Sequence, residues 1–487
     1  MENNAFTNAT EECVSYALDV PWPYLTFTAS AAQTMTINTD DSYVLDESMQ
    51  YSVNGGEWVQ LTAKTAITFG GDKGTLRLRG KSANGTAASS SSRAQISFGD
   101  DNVQVACSGD IRTLVDYENY ATVSTANARF CSLFKGCESL TSAPDLPATT
   151  LADHCYSEMF MSCTSLTAAP ELPATSLTEF CYYFMFYNCT SLTAAPELPA
   201  TTLTEYCYYF MFYNCTSLTA APELPATTLA NNCYHSMFRQ CTSLTVAPEL
   251  PATTLAADCY RSMFYDCTNL TTAPELPAAT LADRCYRYMF YNCTSLKTAP
   301  KLPATTLAAD CYRSMFYDCT NLTTAPELPA TTLVDYCYYE MFQNCTNLTT
   351  AHELPATTMA ESCYKSMFNG CTSLTAAPEL PAMTLAGSCY KSMFKGCTSL
   401  TAAPELPATA LAGSCYQEMF SGCKNLSSIT MLATYISETY CLTDWVSGVA
   451  SSGTFTKAAS LIQGSDTDNK IPTGASGIPK GWTVVNK

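Results

Sequence analysis

Cys155-Tyr-Ser-Glu-Met-Phe-Met-Ser-Cys163-Thr-Ser-Leu-Thr-Ala-Ala-Pro-Glu-Leu-Pro-Ala-Thr-Ser-Leu177 returns, lightly edited, every 26 residues down most of the chain. The Cys-Tyr pair recurs at Cys155, Cys181, Cys207, Cys233, Cys259, Cys285, Cys311, Cys337, Cys363, Cys389 and Cys415. A fixed period of this size implies one supersecondary unit per copy, too small to bury its own apolar face and so stacked on its neighbours. The 487 residues therefore reflect repetition more than a series of compact cores.

Within a copy, Leu151, Cys155, Met159 and Cys163 fall four residues apart, with Tyr156 and Phe160 beside them. That spacing predicts a short helix of about three turns. Leu166 to Leu172 is too short for a helix and runs into Pro170 and Pro173, which favour extended backbone; it predicts a short strand and a rigid bend. Stacked about 4.8 Å apart, such strands would form a parallel sheet with the helices on the other side, over an arc of about 55 Å.

The Met-Phe-x-x-Cys-x-x-Leu run, the Leu-Pro bend and the following Thr-Leu resemble the cysteine-containing, BspA-like leucine-rich repeats of surface proteins from Bacteroidales and related gut and oral bacteria. The resemblance covers roughly residues 130 to 430. The unit here is three residues longer than the commoner 23-residue form and has a second cysteine. The expected fold class is an α/β solenoid, a leucine-rich-repeat array of short strand plus short helix preceded by a small β-sandwich. The resemblance implies an extracellular or cell-surface recognition protein, adhesin-like and non-enzymatic, whose partner is a host or bacterial surface protein or a glycan.

Residues 1–22 form an N-terminal segment with Glu2, Glu11 and Glu12 and no apolar stretch of signal-peptide type. Two explanations stand side by side: a mature form, or a bacteriophage virion protein, released by lysis, that recognises a gut-bacterial surface. Residues 23–108 read as β structure of immunoglobulin-like kind. Leu25 to Ala29, Thr34 to Asn38 and Thr75 to Arg79 alternate, and Asn54-Gly55-Gly56 between Gln50–Val53 and Glu57–Leu61 predicts a hairpin. Residues 109–130 are expected to be a linker and N-terminal cap, 131–430 the solenoid, and 431–487 a C-terminal cap in which Trp445 and Trp482 cover the last repeat.

The net charge of −19, with only 24 Lys plus Arg, argues against a duplex nucleic-acid partner. No run of 18 or more apolar residues occurs, so no membrane span is expected. Twenty-two of the 27 cysteines are the paired repeat positions. On a helix the two of one copy would lie about 12 Å apart, too far for a disulfide, and the reading is of buried free thiols acting as small hydrophobes. No C-x2-C pair or recurring histidine supports a metal site, no cofactor motif is present, and His154, His235 and His352 sit at unrelated positions; no catalytic residues are expected.

Comparison between copies separates constant from changing positions. The cysteines, the Tyr after the first, Met-Phe and Pro-x-Leu-Pro hardly change and read as packing. The two residues before Cys-Tyr, the two after it and the two before the second cysteine change in nearly every copy and are expected on the solvent face of the helix. They include Phe180, Tyr183, Phe184, Tyr187, Tyr206, Tyr209, Phe210, Tyr213, Tyr265, Arg287, Tyr288, Tyr291, Tyr317, Tyr336 and Tyr339. Exposed aromatic residues among Asn, Asp, Ser and Arg have the composition of a recognition surface; the competing reading is that the rings only pack on their neighbours. A second candidate is an acidic row at one equivalent position: Asp145, Glu171, Glu197, Glu223, Glu249, Glu275, Glu327, Glu353, Glu379 and Glu405, interrupted by Lys301. Stacked at strand spacing, such a row would raise its own pKa values and favour cations or basic partners, or else serve to keep the sheet solvated.

Overall fold

The computed structural model describes residues 23–40, 42–464 and 469–487; the expected N-terminal segment and Cys13 lie outside the described residues. From about residue 130 onward the chain winds through stacked coils of 26 residues, each laid parallel on the one before. A repeat solenoid is thus formed.

The expected helix does not form, and no α-helix occurs among the described residues. The segment Leu151 to Cys163 is a ribbon of consecutive tight turns. Backbone N–H groups alternate between two uses. Cys155, Ser157, Met159, Met161 and Cys163 donate to the carbonyl three residues back, at 3.0 to 3.2 Å. Tyr156, Glu158, Phe160 and Ser162 donate to Cys181, Tyr183, Met185 and Tyr187 of the next coil, at 2.7 to 2.9 Å. A helix would keep all of these bonds within one segment; here half of them join the coils, so a coil has no complete hydrogen-bond set alone.

Every fourth residue of the ribbon stands at positive φ: His154 at 58°, Glu158 at 56° and Ser162 at 61°. That is the conformation needed at the third residue of a type II turn. A period of four suits this ribbon better than a helix, because at 3.6 residues per turn a strict i, i+4, i+8 pattern drifts steadily around the axis. In the ribbon it gives fixed inward columns. Tyr156 to Tyr416 stack with centroids 5.5 to 6.1 Å apart, and Phe134 to Phe420 at 5.5 to 5.8 Å, all nearly or wholly buried.

The cysteines fill a third and fourth column. All those described are free and buried, in agreement with the sequence reading. The second cysteine of each copy also donates its S–H to the Phe carbonyl of the preceding coil: Cys163 to Phe134, Cys267 to Phe238 and Cys423 to Phe394, at 3.0 to 3.1 Å.

The Leu166–Leu172 side is extended, as its prolines require, but pairs mostly through single parallel bridges such as Ala168 with Ala194 and Ala194 with Ala220. Pro170 and Pro173 lack the N–H groups that a longer ladder would use. Threonine hydroxyls supply part of the missing bonding: Thr193 donates to the Thr167 carbonyl at 3.2 Å and Thr271 to that of Thr245 at 3.0 Å.

Before the coils lie two sheets. The strands in chain order are β1 (Leu25–Ala29), β2 (Gln33–Thr39), β3 (Gln50–Val53), β4 (Val59–Gln60), β5 (Ile67–Phe69), β6 (Leu76–Arg79), β7 (Ala87–Ser89), β8 (Ser92–Phe98) and β9 (Val105–Ser108). Next comes β10 (Leu140–Ser142), which belongs to the first coil. One sheet has the order β10-β9-β1-β6-β3-β4 and the other β5-β2-β8-β7. The expected hairpin joins β3 and β4, with Asn54 at φ 52° and Gly55 at 70°.

Both sheets continue into the solenoid. β9 pairs in parallel with β10, and in the second sheet Ile96 donates its N–H to Leu133 of the first turn ribbon at 2.7 Å. The first coil therefore has its apolar face and its backbone groups covered by β structure.

At the far end β11 (Ala402–Leu406), β12 (Ser428–Met431), β13 (Thr454–Lys457) and β14 (Thr483–Asn486) form a parallel sheet. The fully buried Trp445 lies against Tyr416 and Phe420, closing both aromatic columns, and its indole N–H donates to Gly477 at 2.9 Å. Trp482, also buried, donates to Ala450 at 2.8 Å.

Candidate functional site

The variable positions lie on the outer face of the turn ribbon, not on a helix. All fifteen aromatic and arginine candidates are half-buried. Their grouping follows from the columns. Residues equivalent in successive copies stand directly above one another, so a Tyr in one coil meets its counterpart 26 residues on.

Two groups result. In the third and fourth coils Phe180 stacks on Tyr206 at 4.8 Å, Tyr183 on Tyr209 at 5.2 Å, Phe184 on Phe210 at 5.1 Å and Tyr187 on Tyr213 at 4.6 Å. His154 extends the first column onto Phe180 at 4.7 Å, and His235 meets Tyr209 edge-on at 4.8 Å. Further on, Tyr265, Tyr291 and Tyr317 stack at 4.3 and 4.6 Å. Tyr336 meets Tyr339 edge-on at 6.0 Å, and Tyr288 lies edge-on to Tyr291 at the same distance.

Arg239 joins the groups. Its guanidinium lies 5.8 Å from the Tyr213 ring centre and 4.0 Å from that of Tyr265, taking the place of a ring in the column. The six-position column from Tyr187 to Tyr317 is thus continuous.

Stacking decides what this face can offer. Ring faces are spent largely on one another, which leaves edges and phenol hydroxyls as what the column can offer. Each ring both packs on its counterpart and keeps part of its surface exposed. Burial raises the phenol pKa of Tyr183, Tyr187, Tyr209, Tyr265 and Tyr317. Tyr339 is pushed up to about 12 by burial and by Glu340. These hydroxyls stay protonated at neutral pH and can donate as well as accept.

Six of the candidates, Phe180, Phe184, Tyr206, Phe210, Tyr288 and Tyr336, also stand at positive φ, between 53° and 59°. Bulky residues are uncommon there, at a cost of about 1 kcal/mol or more each. The inter-coil ladder holds them: the N–H of Phe184 donates to Tyr209 at 3.0 Å.

The sequence reading singles out Arg287 alone among the arginines. The structure places it in a column with Arg261 and Arg313, flanked by His235 and Tyr339. Asp258 is shared by Arg261 at 3.1 Å and Arg284 at 2.9 Å. Asp310 is shared by Arg313 at 3.1 Å and Arg287 at 4.0 Å. Arg239 makes no ion pair among the described residues, and its Nε has no hydrogen-bond partner. His235 is pushed down to about 3 by burial and by Arg261 and is neutral at physiological pH. Reading one repeat position down all copies would have found these residues; reading along the chain scatters them 26 residues apart.

The acidic row sits on the extended side, away from these columns, and each of its members is exposed. At its start the Asp145 carboxyl is pushed up by burial, with Asp110 and Glu171 adding to it. Glu405 at its end pairs with Lys487 at 2.5 Å. No group of three metal-ligating side chains is assembled among the described residues. No helix among them is long and apolar enough to cross a membrane.

A family model described as "BspA type Leucine rich repeat region" matches the chain in six copies, at residues 153–297, 210–349, 257–401 and 357–443. No curated protein matches. Among solved structures, the crystal structure of a TLR13–ssRNA13 complex is similar over 68% of this chain at 15% identity, with a TM-score of 0.28. The match spans 45% of that chain, less than half of its length.

Proposed function

Since the chain belongs to the BspA-type leucine-rich-repeat family, whose model spans more than half of it, we propose that it is a non-enzymatic recognition protein acting outside the cell. Its partner is a surface protein or glycan, and the outer face of the turn ribbon is where contact is made. The observation that carries this reading is the run of stacked aromatic side chains from Phe180 to Tyr339, half-buried and held at its edges in fixed register. Rigid rings that have already lost their rotamer freedom to stacking bind with little further entropic loss. The acidic row serves to keep the extended side solvated.

The two-sheet unit at residues 23–108 is read as an immunoglobulin-like sandwich that spaces or attaches the array. Residues 431–487 serve as the closing cap. The same scaffold on a virion, recognising a bacterial surface, differs only in what carries it, and the nature of the ligand separates the two.

The test is binding of the purified chain to an array of matrix proteins, mucins, host glycans and bacterial polysaccharides, beside a chain with Ala at Tyr183, Phe184, Tyr187, Tyr209, Phe210 and Tyr213. We expect a ligand whose binding falls at least about tenfold in the substituted chain, the worth of one lost hot spot, while far-UV spectrum and thermal midpoint show that chain folded. Undiminished binding by a folded substituted chain would remove this cluster as the contact surface.

A further inference from the structure

A groove runs along the solenoid axis in the middle of the turn face, from the fifth coil to the ninth. Its shape follows from one repeat position, the fourth counted from the first cysteine. That position holds Phe184 and Phe210 in the third and fourth coils, Ser236 and Ser262 in the fifth and sixth, Tyr288 in the seventh, Ser314 in the eighth and Glu340 in the ninth. The three serines are almost completely buried; Ser262 lowers the floor of the cavity beside Arg239 and Arg261, and Tyr288 rises from the same position in the next coil.

One wall is the column of His235 and Arg261, and the other that of Arg239, Tyr265, Tyr291 and Tyr317. Phe210 stands at the near end and Glu340 at the far end. The groove encloses about 440 Å³, and four coil steps of about 4.8 Å make it about 19 Å long.

We propose that this groove binds a linear acidic glycan, with a uronic acid carboxylate at the Arg239–Arg261 end and sugar hydroxyls along the tyrosine hydroxyls toward Glu340. This rests on the reading of the turn face as the recognition surface and narrows it to a ligand class.

Three observations exclude simpler occupants. An extended peptide is usually held through its backbone, yet the ribbon N–H groups here are already used within and between coils. An apolar side chain needs a ring face or a greasy pocket, and the stacked column covers its faces. A neutral sugar would leave Arg239 uncompensated, whereas Asp258 and Asp310 already serve Arg261, Arg284, Arg287 and Arg313. No ion pair joins Arg239 to nearby Asp266 or Glu340 among the described residues; Asp266 accepts from the Asn292 amide at 2.9 Å and Glu340 from the Ser314 hydroxyl at 3.1 Å. A guanidinium set 4.0 Å over the Tyr265 ring and 5.8 Å from that of Tyr213 is held in place by the column and can offer its unpaired N–H groups to a carboxylate.

The probe is a galacturonic acid tetramer, titrated calorimetrically against the full chain beside the same tetramer after carboxyl reduction to the neutral sugar. Binding of the acidic form is expected, weakening with added salt, and at least about tenfold weaker for the neutral form. Ser262→Phe fills the floor with the residue that the third and fourth coils carry at the same positive φ, so the ladder accommodates it. It is expected to abolish binding. Arg239→Gln should weaken binding about tenfold or more. Ser366→Phe, one coil beyond the groove, should leave it unchanged.

The proposal falls if the acidic tetramer does not bind, if the neutral one binds equally, or if Ser262→Phe and Arg239→Gln both retain full affinity. Should the Tyr183–Tyr213 alanine set lose an array ligand that Ser262→Phe still holds, the turn face remains the recognition surface and the groove does not.

Discussion

Ser388 stands at φ 55°, and eleven other residues just before a Cys-Tyr or its counterpart do the same, none of them glycine. An L-residue in this region costs about 1 kcal/mol relative to a residue without Cβ. In a helix interior, by contrast, glycine would lose about 1 kcal/mol against its neighbours. Ser388→Gly therefore has opposite signs in the two architectures. We expect it to raise the urea midpoint, by stabilisation of up to about 1 kcal/mol; a lowered midpoint would speak for a helix. The same residue type explains what was legible. In the column from Ser162 to Gly422, Asn188, Asn214, Asp266, Asn292, Asp318 and Asn344 give way to Gly370, Gly396 and Gly422. Asn, Asp and Gly are the residues that best tolerate positive φ, so a turn signal was present in every copy of this column except those with Ser162 and Gln240. It is masked at the other two positive-φ positions by Phe, Tyr, Glu and Arg, which propensity alone would never place there.

At the scale of one coil, the spacing of four was read as a helix because it matches i, i+4, and the inward residues were identified correctly all the same. Either structure puts Cys155, Tyr156, Met159, Phe160 and Cys163 on the side facing the core. What differs is the destination of the backbone hydrogen bonds, and sequence spacing carries no trace of it. The cysteine columns follow from that packing. Burial drives their thiols up, to about 12 for Cys155, Cys207 and Cys311 and further for Cys163 and Cys215. Thiolate is the reactive form. A chain carrying Cys13→Ser is thus expected to show almost no reaction with a thiol-specific chromogenic disulfide at pH 8 while folded, and reaction of all its remaining thiols in denaturant. Rapid labelling of the native chain would contradict the columns.

On the scale of the whole molecule, the core is one continuous cluster from Leu25 in the first strand to Trp482. A stack of this kind is only as secure as its ends, because each coil takes hydrogen-bond partners from the next and the last must take them from the closing segment, as where Val446 donates to Ala475 at 3.1 Å. Trp445 therefore has a larger role than one side chain usually has. Trp445→Ala would open a cavity over both aromatic columns and strand the Gly477 carbonyl, for an expected loss of about 3–5 kcal/mol. Fraying should begin there, seen as hydrogen exchange rising first in the amides of the last coils and fading toward the middle; uniform exchange along the array would count against an end-cap role.

The sequence by itself determined that this chain is a solenoid of 26-residue coils and which residues face inward, the cysteines among them, because period and hydrophobic pattern are local properties repeated eleven times over; alternation around an Asn-Gly turn marked the β unit before the array. It also marked the aromatic residues of the outer face. Only the tertiary structure decided that the coils are built from turns, since an N–H that donates to a residue 25 positions away leaves no local mark. Only stacking made columns of those aromatics, inserted Arg239 between Tyr213 and Tyr265, and lowered the floor at Ser262. A groove is a relation between coils, and residues 26 apart in the chain become neighbours only when the coils are laid on one another.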